Sequence, residues 1–187
     1  LNDGCSPPTT GTVTINVMPL PQVNFTADKF EACETPVETF EFYNTTDTTG
    51  GMVGSSIWDF GDGHSSTAPQ PCNTYSQGGQ YSVTLIVRDQ NGCENQKTVS
   101  NYIDVAPVLN ADFTSNIQSA CNPPLNVQFT NTTQPNSSLT YVWNFGNGSS
   151  AISVNSTATY STTGVYDVTL IARNSFGCRD TITKVGY

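Results

Sequence analysis

Basic residues are scarce in this chain: six of its 187 residues are Lys or Arg, against 15 Asp or Glu, for a net charge of −9. A nucleic-acid interface needs a dense positive surface to displace counterions from phosphate, so that function is excluded. Anionic membrane surfaces are disfavoured for the same reason. No run of apolar residues approaches the roughly 18 that a bilayer-crossing helix requires, so no helical membrane insertion is expected. Histidine occurs once, at His64, and no second His or free Cys stands at ligand spacing, which argues against zinc. No Ser-His-Asp or Cys-His set recurs, and no glycine-rich phosphate loop opens a helix, so the chain reads as no enzyme. Charge of either sign is low, 11% against roughly 25% in an average soluble domain. Thr, Ser and Asn supply the polarity instead, as on secreted β proteins. Six cysteines fit an oxidising compartment. These features together predict an extracellular or cell-surface location. The first residue is Leu1 and not Met, which reads as a mature or excised piece.

What the chain does contain is a repeat. "WDFGDGHSSTAPQPCNTY" (58–75) returns 85 residues later as "WNFGNGSSAISVNSTATY" (143–160). "FEFYNTT" (40–46) matches "VQFTNTT" (127–133), and "YSVTLIVRDQNGC" (81–93) matches "YDVTLIARNSFGC" (166–178). Such a period is too long for a solenoid unit and suits a small domain. "VTINVMPLPQVNF" (13–25) matches "YIDVAPVLNADF" (102–113). We therefore divide the chain into residues 1–20, the last strand of a preceding repeat or a donor strand, a first domain at 21–106 and a second at 107–187. Segments such as "YSVTLIV", "TFEFYN", "NVQFTN" and "LTYVWNF" alternate apolar and polar residues with a period of two, and Gly, Pro or Asn clusters separate them. No stretch sustains a period of 3.6. About seven short strands per unit predict an all-β protein of antiparallel sandwiches.

The conserved spacing within the chain carries a resemblance. "WDFGDG", a Pro-containing loop, "TY" and "GQYSVTLIV" together resemble the polycystic-kidney-disease (PKD) domain. That family implies tandem immunoglobulin-like antiparallel β-sandwiches in extracellular proteins. The structural positions of the motif are Trp58, Gly61, Gly63, Tyr75 and Tyr81, repeated as Trp143, Gly146, Gly148, Tyr160 and Tyr166. The second copy keeps the aromatic residues and glycines but replaces Asp59, Asp62 and His64 with Asn144, Asn147 and Ser149. Asp and Asn both hydrogen-bond nearby backbone amides in turns, whereas only Asp suits a general acid or a hard cation. The motif is thus expected to be a turn and not a reactive site. Some PKD domains bind calcium, so the resemblance permits one structural calcium, with Asp59, Asp62, Asp89 and Asp112 as weak ligand candidates; no other cofactor is expected.

Each unit carries one Cys after its first strand and one in the turn before its last. The expected disulfides are Cys33–Cys93 and Cys121–Cys178, each within a unit. Cys5 and Cys72 are then unpaired or intermolecular. Two functions follow. The first is a structural or adhesive repeat region of an extracellular bacterial surface or fibre protein able to form filaments, resembling repeats of large Bacteroidetes cell-surface adhesins. Its partners would be neighbouring repeats or subunits through end-to-end strand contacts, with surface polysaccharide or other cells beyond them. The alternative is an accessory, non-catalytic PKD region of a secreted hydrolase.

Overall fold

The computed structural model describes residues 11, 17–34, 37–47, 52–135 and 138–187. The segment "TVTINV" and Cys5 fall largely or wholly outside these residues. The first unit contains β1 (Phe25–Ala27), β2 (Glu31–Cys33), β3 (Thr39–Asn44), β4 (Val53–Asp59), β5 (Ser65–Ser66), β6 (Cys72–Thr74), β7 (Gly79–Asp89) and β8 (Glu94–Ala106). The second contains β9 (Phe113–Ser115), β10 (Leu125–Asn131), β11 (Thr140–Asn144), β12 (Ser150–Ala151), β13 (Ser156–Tyr160), β14 (Val168–Arg173) and β15 (Arg179–Lys184).

In the first unit a three-stranded sheet, β1-β3-β6, faces a five-stranded sheet, β2-β8-β7-β4-β5. The second unit pairs β13-β10-β9 with β12-β11-β14-β15. Strand pairing is antiparallel except between β2 and β8, which run parallel with Cys33 opposite Ala106. The alternation in "YSVTLIV" does what a half-buried strand requires: Val83, Leu85 and Val87 are fully buried, while Thr84 reaches the hydroxyl of Thr98 on the other face.

Each unit buries its own core around a tryptophan. Trp58 meets Phe25 edge-on at 5.5 Å and lies over Phe60 at 6.5 Å. Trp143 meets Phe113 at 5.3 Å and Phe145 at 6.0 Å. Both indole N–H groups donate to a loop carbonyl, Ala68 O at 3.1 Å and Ser153 O at 2.9 Å. The ring thus closes the sandwich and also ties down the loop that covers it. A third, smaller cluster holds the units together. Ala106, Leu109 and Cys178 are buried there, with Cys33, Leu139 and Phe176 packed around them.

The expected disulfides are corrected by this architecture. Cys33 is bonded to Cys178 of the other unit, with a Cα separation of 5.7 Å, and Cys72, Cys93 and Cys121 are free thiols. The reason is strand length. Cys93 precedes β8 and Cys33 lies beside its last residue, so the 13 residues of β8 separate them. At about 3.3 Å per residue that is roughly 40 Å, far outside the ~7 Å limit on Cα separation for a bridge. Cys121 and Cys178 stand at opposite ends of the second unit in the same way.

Candidate functional site

The acidic motif turns out to be a pair of side-chain-capped turns. Asp59 Oδ1 accepts from the Gly61 amide at 2.9 Å, and Asp62 Oδ1 accepts from the His64 amide at 2.9 Å. In the second unit Asn144 accepts from Gly146 at 3.0 Å and Asn147 from Ser149 at 2.9 Å. One oxygen at each position caps its turn, which is why Asp and Asn exchange there; the second atom differs, Asp62 Oδ2 accepting from Asn73 Nδ2 and Asn147 Nδ2 donating to Thr159 O at 3.0 Å. The glycines are fixed by sterics. Gly61 has φ of 76°, and a Cβ there would come within 2.4 Å of Ser82 O; Gly146 has φ of 73°, with its Cβ 2.6 Å from Asp167 O. The tyrosines complete the frame. Tyr75 and Tyr160 donate to Phe60 O and Phe145 O, each at 3.1 Å, and Tyr81 and Tyr166 close their own loops on Gln77 O and Thr162 O. Burial pushes the Tyr75 hydroxyl well above the ordinary phenol range.

The four calcium candidates are not brought together. Burial would by itself raise the Asp62 carboxyl. Hydrogen bonds from Asn73, at 2.8 Å, and from the His64 backbone and ring outweigh that and hold it below the usual carboxylate range. Asp89, buried, accepts from the amides of Asn91 and Cys93. Asp112 pairs with Lys184 at 2.9 Å, and that hydrogen bond lowers its carboxyl. Among the described residues no group of three or more His, Cys, Asp or Glu side chains is disposed to hold a metal ion. His64 is exposed and touches only Asp62 among the ion pairs described.

Two features were absent from the sequence reading. The first is the junction between the units. Glu34 takes its amide hydrogen bond from the end of β8, donating to Ala106 O at 2.9 Å. Its carboxylate accepts from Gly78 N at 3.0 Å and from Val108 N at 3.2 Å. A Cβ on Gly78 would stand 2.7 Å from Pro107 Cα, so this glycine exists to let the linker pass. The linker is thus gripped on one side by Glu34 and on the other by Gly78, directly below the Cys33–Cys178 bridge. Cys178 is set in place by its own turn: Asn174 Oδ1 accepts from the Phe176 and Cys178 amides at 3.0 and 2.9 Å. The signal for this bridge lay in strand length, because a long last strand carries its end away from the turn that precedes it. The second feature is a cleft of 360 Å³ at the far pole of the second unit, lined in part by Ile117, Cys121, Leu125, Val127, Tyr166 and Val168.

The sequence matches the PKD domain family twice, over residues 18–105 and 104–186. It is 48% identical over 54 residues to a microbial collagenase of Vibrio alginolyticus, a match covering 29% of this chain and 6% of that protein. It is 45% identical over 49 residues to the pre-pro-metalloprotease PrtV of Vibrio cholerae, covering 26% of this chain and 5% of that protein. The chain therefore spans a small fraction of the length of these relatives. The solved structure of the PKD1 domain of Vibrio anguillarum Epp is 28% identical, covers 48% of this chain and 99% of that domain, and has a TM-score of 0.41.

Proposed function

The chain belongs to the PKD domain family as two consecutive copies, and on that premise we propose that it is a non-catalytic, extracellular accessory region of a secreted hydrolase, acting as a locked spacer. The matches to collagenase and metalloprotease sequences support this reading over an adhesin. The observation that carries it is the junction. Two sandwiches joined by a covalent bridge, a gripped linker and a small buried cluster hold one fixed relation, which is what a spacer between a catalytic domain and its substrate needs. The acidic motif is spent on backbone turns and offers no activated nucleophile. An aromatic platform for sugar is not part of the proposal, since Phe30 alone among the described aromatic residues is exposed, and it packs edge-on against Tyr102.

The complete gene provides the test. A hydrolase domain in the same reading frame supports the accessory role; an uninterrupted series of PKD units with no catalytic domain overturns it. The second outcome would favour a surface fibre, for which one observation speaks: the bridge joins consecutive units through positions that recur in every unit, a pattern that suits a series longer than two.

A further inference from the structure

We propose that Cys121 and Cys93 are the two open halves of this same inter-unit bridge: Cys121 receives the thiol of the last turn of a following PKD unit, and Cys93 that of the β2 position of a preceding one. Cys121 holds the sequence position after Phe113 that Cys33 holds after Phe25, and Cys93 is the counterpart of Cys178. The turn that carries Cys93 has the geometry of the one that carries Cys178. The Cys93 amide donates to Asp89 Oδ1 at 2.8 Å, as that of Cys178 donates to Asn174 Oδ1 at 2.9 Å. The backbone closes both turns alike, Asp89 N to Cys93 O at 2.9 Å and Asn174 N to Cys178 O at 3.0 Å. What differs is cover: Cys178 is buried against the neighbouring unit, whereas Cys93 is half-buried and Cys121 exposed.

The cleft beside Cys121 lies where that junction would form. In the first unit, β8 runs on through Ile103 and Val105, both buried, to Ala106. There it pairs with β2 and leads into the linker below the bridge. In the second unit the equivalent space, beside Val168 and Tyr166 as counterparts of Val83 and Tyr81, is the cleft. The first unit seats Ile103 and Val105 against Tyr81 and Gly79, whose counterparts Tyr166 and Gly164 line the cleft together with Cys121. Such a strand leads into a following unit at the first junction, so cleft and thiol together define one socket for a further copy of this domain. Closure removes two protons and two electrons from the two thiols; a disulfide oxidant such as oxidised glutathione takes them up and leaves as two thiols. The inference stands whichever larger protein contains the pair.

The test extends the full chain by a second copy of residues 103–187 placed directly after Tyr187, which preserves the repeat register. After oxidation with glutathione, alkylation and peptide mapping, Cys33–Cys178 should be found together with a bond from Cys121 to Cys178 of the appended copy. Cys93 should be alkylated. With Cys121→Ser, the Cys33–Cys178 bond should persist and the appended Cys178 should become alkylatable. An alkylated Cys121, or Cys121 bonded to Cys72 or to Cys178 of its own unit, overturns the proposal. Loss of Cys33–Cys178 in the extended chain overturns it as well, because the template junction would then be wrong.

Discussion

Asp59, Asp62, Asp89 and their counterparts Asn144, Asn147 and Asn174 show how little of a carboxylate this fold uses. Each position needs one acceptor oxygen for the amide two residues on. The double variant Asp59→Asn with Asp62→Asn should therefore keep the first unit folded, with a stability change of about 1 kcal/mol or less, measured by thermal melting. Gly61→Ala should cost about 1–3 kcal/mol, because the added Cβ meets Ser82 O and φ is positive. Acid should distinguish the charge from the turn. The folded Asp62 carboxyl lies below its usual range. Its contribution is thus complete above the unfolded value near 3.9 and is lost as pH falls through the folded value. Denaturant midpoints measured downward from about pH 5 should fall less steeply in Asp62→Asn than in the wild type. That the motif is a turn was legible in the sequence, since the two copies exchange Asp for Asn while keeping the glycines. The second bond of Asp62, from Asn73, was not legible, because the residue that donates it lies on another strand.

Strands with a regular alternation were legible for a plain physical reason: burying one face of β7 or β14 demands apolar residues at every second position. β2 was not, since three residues with a single buried side chain, Ala32, carry no periodic signal. Its parallel pairing depends wholly on the end of β8. The tryptophan strands carry the largest packing load. Trp58→Ala removes a ring that contacts Phe25, Phe42 and Phe60 and frees Ala68 O. It should destabilise the first unit by roughly 3–5 kcal/mol. Because the two cores are separate clusters, calorimetry should show the first transition moving down while that of the second unit, around Trp143, moves far less.

For the whole molecule, the decisive contact joins residues 145 apart in sequence. Closing so long a loop in the unfolded chain corresponds to about 5 kcal/mol in the chain-entropy treatment, and it also fixes how one sandwich stands on the other. Pairing within each unit and pairing between consecutive units give the same repeat pattern in sequence; only the length of β8 separates them. Cys33→Ser should leave each Trp-centred core intact yet broaden the distribution of inter-unit distances, measured by small-angle scattering. The most direct measurement is a non-reducing peptide map of the wild-type chain with free thiols blocked before digestion. The account predicts one peptide pair joined through Cys33 and Cys178, with Cys93 and Cys121 alkylated. Recovery of Cys33 joined to Cys93 and Cys121 joined to Cys178 would contradict it.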